Sequence, residues 1–387
     1  MAIDAARRPD VTPYLKAVAI YLCSRAVVLL AVGISSIFLP LWKPDLWQSG
    51  SRWYDHLLRW DSEWYAGIVE HGYRYNGDPN DLQPVVFYPL YPMLARALAT
   101  ITGLSPAVAL LVVANVAAVV AILLLFRWAR RHAGEETALL TVACLSFYPG
   151  SLFLSAGYTE PLALLMILCC FTLLEDRRFV FAAVAAGLAL ATRFVGIVLI
   201  PVLFWELWQK YHADRKRLVL YASACLAIAS AGLWLYMLYL YAAFGHPLAF
   251  ADAQGAFNGA TSLGSRLAAA LTLQPFLHLR FTDLTPAGLD QWFFLLLLGL
   301  SVWSWRLLPV PATLFSLGAL LVPYLTLSGG PAGFTSMTRF GLLAFPAFIA
   351  LADLCRRSLL LCLAATGLFA AVLALHSALF AQWYWVG

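Results

Sequence analysis

Long apolar runs alternate with short polar joints along nearly the whole chain, and only two joints are long. The runs fall at 17–39, 105–126, 137–155, 160–174, 179–208, 218–243, 289–305, 308–327, 339–354 and 358–380. A helix crosses a bilayer with about 20 apolar residues, so most runs predict one membrane segment each. The run 179–208 is too long for one untilted crossing and is interrupted at Thr192-Arg193. Read as a single helix, it would put Lys210, Arg215, Lys216 and Arg217 on the face opposite Arg7 and Arg8. Read as two short helices turning at Arg193, it returns them to that face, in keeping with the positive-inside rule. Short half-helices are tolerated where they are buried in protein or line a cavity.

The pattern therefore predicts an all-α polytopic membrane protein of about eleven membrane segments, one domain over 1–387, with the N-terminus cytoplasmic. Arg127, Arg130, Arg131, Arg177, Arg178, Arg306, Arg356 and Arg357 then share the inner face with the residues just named. The outer face carries the two long loops, 40–104 and 244–290, and a short one at 328–338. Long loops in a compact protein usually carry function, so the site is expected there. Trp42, Trp47, Trp53, Trp60 and Trp64 suit amphipathic helices lying in the membrane interface. Arg7, Arg8 and Lys16 precede a first run too long for a signal h-region, which reads as a retained anchor.

Composition narrows the class. The chain is 62% hydrophobic and 12% charged, against about 25% charged in soluble domains. Lipid must be the solvent for much of it. The net charge of +5 is spread in small clusters between spans, which argues against a nucleic-acid partner. All seven cysteines sit inside apolar runs without zinc or redox spacing, and read as small buried side chains. There is no P-loop, Rossmann glycine motif, zinc motif or nucleophile elbow. No internal repeat is evident, which disfavours a secondary transporter.

Chemistry-bearing residues concentrate in the first outer loop. Arg59-Trp60-Asp61-Ser62-Glu63-Trp64-Tyr65, running on to His71-Gly72-Tyr73, places carboxylates among aromatics. If 57–69 is an interfacial helix, Asp61 and Glu63 point roughly 200° apart and cannot share one task. Asp61 would share a face with Leu57, Trp64 and Tyr65, where desolvation makes a carboxylate a stronger base. The alternative is a surface Asp61 paired with Arg59. His71 is a candidate ligand or a structural residue, and Gly72 a helix cap. Tyr88, in the proline-bracketed run 83–92, belongs to a rigid aromatic wall, fit either to stack on a sugar or isoprenoid or to pack on the bundle.

Three ionisable residues lie at span ends on the same outer face: Glu160, beside Tyr158, then Arg193 and Arg339. Charge is costly at such depth and needs a partner or a polar ligand. Two converging arginines can grip a phosphate, or Arg193 can pair with Glu160 structurally. Arg25 within the first span has no assigned partner. Asp252 and Gln254 lie in a predicted short surface helix after Gly245-His246-Pro247, where they either touch an acceptor or are merely solvated.

Taken together, Arg59-Trp60-Asp61, Trp64-Tyr65, His71-Gly72-Tyr73, Phe87-Tyr88-Pro89, Tyr158-Thr159-Glu160-Pro161, Thr192-Arg193-Phe194, Gly245-His246-Pro247 and Arg339-Phe340 resemble the PIG-V family, the GPI mannosyltransferase II class within the GT-C glycosyltransferase superfamily, and its prokaryotic members above all. The resemblance implies a GT-C fold in a bacterial inner membrane with an extracytoplasmic site. It implies a polyprenyl- or dolichyl-phosphate sugar donor, mannose first and arabinose as an alternative, and a glycolipid or glycan acceptor. Inverting transfer would use Asp61 as base and Arg193 and Arg339 on the donor phosphate. Arg59, Trp60, Glu63, Trp64, Tyr65, His71, Tyr88, Tyr158 and Glu160 would bind substrate or support those groups. No cofactor is called for, and a divalent metal is left open. A lipid-linked-sugar transporter or a non-catalytic subunit are the rival readings.

Overall fold

A computed structural model describes residues 11–46, 52–258, 263–273, 276, 285–326 and 336–386. Trp47, Arg7, Arg8 and parts of the loops 244–290 and 328–338 lie outside the described residues. Among the described residues the regular structure is helical. In chain order the helices are α1 (Thr12–Phe38), α2 (Asp61–His71), α3 (Leu90–Thr102), α4 (Pro106–Ala133), α5 (Glu135–Phe147), α6 (Glu160–Glu175), α7 (Phe179–Thr192), α8 (Leu199–Tyr211), α9 (Arg215–Phe244), α10 (Ala249–Asp252), α11 (Gln254–Asn258), α12 (Leu263–Leu271), α13 (Pro286–Ser304), α14 (Val310–Thr326), α15 (Met337–Gly341), α16 (Phe345–Arg357) and α17 (Leu359–Ala381).

The ends of the long helices follow from local chemistry. Ser105 caps α4 by accepting from the Val108 amide, with Pro106 in the first turn. Arg130, Arg131 and His132 fill its last turn, where cations complement the helix dipole. Asp214 and Ser358 cap α9 and α17 in the same way as Ser105.

Among the described residues, five segments are long and apolar enough to cross a membrane: α1, α4, 194–211, α9 and α17. Three shorter apolar helices are Phe179–Thr192, Gly288–Ser304 and Val310–Thr326. The remaining three of the eleven expected segments correspond to α5, α6 and α16, of 13, 16 and 13 residues. They are too short to span a bilayer alone. α6 nonetheless runs from one end of the bundle, at Glu160, to the other, at Glu175. In α16 the run from Phe345 to Asp353 is entirely buried, so this helix is sheathed in protein.

Two expected spans are broken. Run 137–155 stays α-helical only to Phe147, then tightens into a 3-10 turn at Pro149–Leu154, because proline lacks the amide the helix needs. Run 339–354 divides into α15 and α16. The break at Arg193 is as expected: Arg193 is extended (φ −154°, ψ 144°), and the chain reverses there. Arg177 Nη1 at the start of α7 lies 3.3 Å from Glu206 Oε2 near the end of α8, so the two helices form an antiparallel hairpin.

The bundle has two chemically different ends. Arg131 lies 2.5 Å from Glu175 and 3.8 Å from Asp176, close to the Arg177–Glu206 pair in sequence. Glu160 begins the helix that Glu175 ends, so it sits about 22 Å away at the other end. The first loop docks at that other end. The expected helix over 57–69 is instead a 3-10 turn at Trp53–Leu57 followed by α2, because Trp60 adopts φ 56° and breaks the helix. Leu57 therefore shares no helical face with Asp61, which is the first residue of α2. Gly72, at φ 78°, caps α2 through its amide to the Ile68 carbonyl (2.9 Å). After Gly245 (φ 73°), α10 and α11 are the short helices expected in the second loop.

Helices α7 and α9 cross at glycines. A Cβ on Gly232 would lie 2.2 Å from the Gly187 carbonyl oxygen, and one on Gly187 would lie 2.8 Å from that of Ile228. Small residues let backbones approach, which drives association in lipid. Gly232→Ala is expected to cost about 1–3 kcal/mol by overpacking. Gly33→Ala, with nothing within 4 Å, should leave stability unchanged or raise it by up to about 1 kcal/mol, since alanine favours a helix interior. Thermal unfolding of both variants in one detergent checks this; equal midpoints would show the crossing is not tight.

Candidate active site

The site is built where three distant segments meet. The Gly157 amide donates to the Leu57 carbonyl (3.1 Å) and the Tyr158 hydroxyl to the Arg59 carbonyl (3.1 Å). A Cβ on Gly157 would lie 2.6 Å from Leu58 Cδ2, so the first loop seats closely here and a larger residue would make the Leu58 side chain shift. The contact sets Asp61, first residue of α2, near Glu160, first residue of α6. Acids are favoured at helix N-termini. From the other side, the Thr338 amide donates to Asp290 Oδ1 of α13 (2.7 Å), fixing α15 and hence Arg339. Gly150 supports the same element: its Cβ would lie 2.3 Å from the Thr338 carbonyl oxygen.

Four charged groups converge there. Arg339 Nη1 donates to Asp61 Oδ2 at 2.7 Å, and its Nε lies 3.3 Å from Glu160 Oε1. The same Glu160 oxygen accepts from Arg193 Nη1 at 2.5 Å, and Arg193 Nη1 also donates to Thr159 Oγ1 at 2.9 Å. Two carboxylates thus balance two guanidinium groups. The Glu160 side chain is 0% exposed, that of Arg339 8%, of Arg193 14% and of Asp61 20%. Access to the cluster is from the Asp61 and Arg193 side. The Phe340 ring lies 5.0 Å from both guanidinium carbons, and Tyr158 and Phe153 also face Arg339. Such aromatic walls replace hydration water with weak cation–π contacts.

The pairing of Arg193 with Glu160 is present, and Arg339 joins it. Arg59 does not pair with Asp61: its Nε donates to the Ala381 carbonyl (3.3 Å) and its guanidinium lies 4.8 Å from the Trp383 ring centre. Burial pulls the Arg59 group down to about 10, with Glu63 and Asp55 opposing, so it stays a cation at neutral pH. Tyr65 is buried beside the cluster. Burial first, and Asp61 next, hold its phenol above the ordinary value, so it remains a neutral donor.

The other residues named from sequence are dispersed. Glu63 and His71 are exposed, and His71 Nε2 lies 3.6 Å from Glu70. Trp64 stacks on Phe87 (6.0 Å, 21°) and Tyr88 meets Phe250, so the aromatic wall packs into the bundle top. Asp252 lies 3.0 Å from His246. Trp60 joins a ring cluster with Trp42, Trp383 and Trp385. Among the described residues no group of three or more His, Cys, Asp or Glu side chains comes together to hold a metal.

Two supports were missed. Asp290 stands in the sequence at the end of the second long loop, and an acid heading an apolar run is itself a signal. Arg25, left unassigned, lies under the 3-10 turn Pro149–Leu154. It donates to the Ser151 carbonyl (2.6 Å), Ser155 Oγ (2.9 Å), the Ser146 carbonyl (2.8 Å) and Ser151 Oγ (2.9 Å).

Comparison with known proteins agrees with this architecture. The family model described as dolichyl-phosphate-mannose-protein mannosyltransferase matches residues 83–243. That stretch holds Glu160 and Arg193 and omits Asp61 and Arg339. It is a different family from the one the first-loop motifs resemble. No curated protein sequence matches the chain. ArnT from Cupriavidus metallidurans, bound to undecaprenyl phosphate, superposes with a TM-score of 0.51 at 15% identity, over 93% of this chain and 76% of that one. The Archaeoglobus fulgidus oligosaccharyltransferase in complex with Zn and sulfate gives 0.45 at 17% identity, over 92% of this chain and 52% of that one. AglB from the same organism, in complex with an inhibitory peptide and a dolichol-phosphate, gives 0.44 at 16%, over 93% and 55%. The chain spans about half the length of these archaeal proteins. It is a multi-pass membrane protein, helical throughout its described residues, whose fold is similar to that of ArnT, and its residues 83–243 match a mannosyltransferase family.

Proposed function

We propose that the protein is a glycosyltransferase that moves a sugar, mannose in the first instance, from a polyprenyl-phosphate carrier to a membrane-associated acceptor with inversion. The reading agrees with the mannosyltransferase family match and with the undecaprenyl phosphate bound to ArnT. The first-loop likeness to PIG-V supports the same donor class. The single observation that carries it is the ion cluster itself: Asp61 and two guanidinium groups meet at one end of the bundle. The opposite end carries the basic residues near Arg131 and Arg177, which the positive-inside rule assigns to the cytoplasm. The reaction then occurs on the extracytoplasmic side.

Asp61 takes the proton from the acceptor hydroxyl as its oxygen attacks the anomeric carbon. The bond from that carbon to the phosphate oxygen breaks, and the lipid phosphate leaves with the added negative charge. Arg193 and Arg339 stabilise that charge. In the resting state Asp61 is engaged by Arg339. A donor phosphate competes for the guanidinium, takes the place of one carboxylate and frees Asp61 to act as base. Glu160, shared by both arginines, holds their spacing throughout.

Two measurements test this with the full chain in nanodiscs, undecaprenyl-phosphate mannose as donor and a membrane lipid extract as acceptor. Asp61→Asn should lower turnover by about 10²–10⁴-fold while undecaprenyl phosphate still binds. Wild-type turnover would reject Asp61 as base. Arg193→Gln and Arg339→Gln should each weaken undecaprenyl phosphate binding by about tenfold or more, as loss of a charged hydrogen bond does. Unchanged binding in both would remove the phosphate from this site.

A further inference from the structure

We infer that segment 382–386, which follows α17, is a positioning element for Asp61 that acts through Arg59 and Trp383. The inference rests on the reading of Asp61 as the base. The residue before Asp61, Trp60, adopts φ 56° and ψ −114°. Its ring is held by Trp383 (5.7 Å, 70°) and Trp385 (5.1 Å, 86°). Trp383 itself adopts φ 66° and is 2% exposed. Two bulky side chains in the left-handed region, in contact with each other, are both in a conformation that L residues rarely adopt. Such strain persists only where the surroundings over-determine it, and it gathers at functional sites.

The segment is tied down at its root. Gln382 Nε2 donates to Ser35 Oγ (2.8 Å), and the Trp42 amide donates to the Gln382 carbonyl (3.0 Å). From that anchor, the Ala381 carbonyl accepts from Arg59 Nε and the Trp383 ring carries the Arg59 guanidinium. The Arg59 carbonyl in turn accepts from the Tyr158 hydroxyl and from the Ser62 amide (3.2 Å). Arg59 therefore links the segment both to the first turn of α2, where Asp61 sits, and to the stretch leading into Glu160. Displacement of Arg59 moves the first turn of α2, and with it the base, relative to Arg193 and Arg339, with which Arg59 shares no hydrogen bond.

The test separates positioning from stability in the assay described above. Trp383→Gly accepts the positive φ and removes the ring; Trp383→Phe keeps a ring. Trp383→Gly should lower kcat by about 10–100-fold, the cost of a misplacement near 1 Å. Its KM for undecaprenyl-phosphate mannose should stay within about threefold, and undecaprenyl phosphate binding should be unchanged. Trp383→Phe should restore most of kcat. Arg59→Gln should show the same loss in kcat alone, and it decides the matter if Trp383→Gly yields no folded protein. Wild-type kcat in the folded variants, or a change confined to KM, overturns the inference. Asp61→Asn in parallel distinguishes the two failures. An active Asp61→Asn removes the underlying reading; an inactive one beside fully active Trp383→Gly and Arg59→Gln removes only the positioning role.

Discussion

One carboxylate oxygen holds the end of this bundle together. Glu160 Oε1 accepts from Arg193 and faces Arg339, and its side chain has no exposed surface. A buried charge is tolerated only when it is paired, and breaking such a pair leaves the partner uncompensated. Here each arginine comes from a different break in the helical pattern: Arg193 from the turn between α7 and α8, Arg339 from the short helix before α16. Asp61 arrives from the first loop. The charge balance of the cluster therefore depends on four segments being seated at once, and the fold around it serves that seating.

The seating has its own foundation one layer deeper. Arg25 is a buried cation that donates to neutral groups, the hydroxyls of Ser24, Ser151 and Ser155 and the carbonyls of Ser146 and Ser151. It stitches α1 to the end of α5 and to the 3-10 turn that follows. Those carbonyls need donors because Pro149 interrupts the helix that would have supplied them. The turn carries Gly150, which lies against Thr338, and leads to Tyr158 and Glu160. An arginine at mid-span, costly in lipid, is here the donor that makes a broken helix tolerable.

Much of this was legible in the sequence, and the limits have physical causes. Helices follow from apolar runs because lipid demands that backbone groups be satisfied internally. The hairpin at Arg193 followed from the side on which Lys210 and Arg215 had to lie. That Glu160, Arg193 and Arg339 share one end with Asp61 followed from the same topology. What hydropathy cannot carry is the difference between a helix facing lipid and one facing protein, so nothing in the runs that become α5, α6 and α16 tells that these helices are short and largely covered by their neighbours. Nor does it carry backbone strain: nothing in the letters around Trp60 announces a positive φ, so α2 was drawn one turn too long at its start. Pairing partners hundreds of residues apart, such as Arg59 with Ala381, leave no local pattern at all.

In the proposed reaction, the closed ion cluster is an advantage. Guanidinium groups stripped of water by Phe340, Tyr158 and Phe153 have already borne their desolvation cost on folding, with carboxylates in place of a ligand. A phosphate that displaces Asp61 exchanges one anion for another, so the number of buried charges barely changes. The exchange falls on Asp61 rather than Glu160 because Asp61 is the more exposed carboxylate and can turn toward solvent or an acceptor. The base is then released only when a donor occupies the site, and an empty enzyme keeps it neutralised by Arg339. Binding and activation thus become one electrostatic event, set by which anion the second arginine holds.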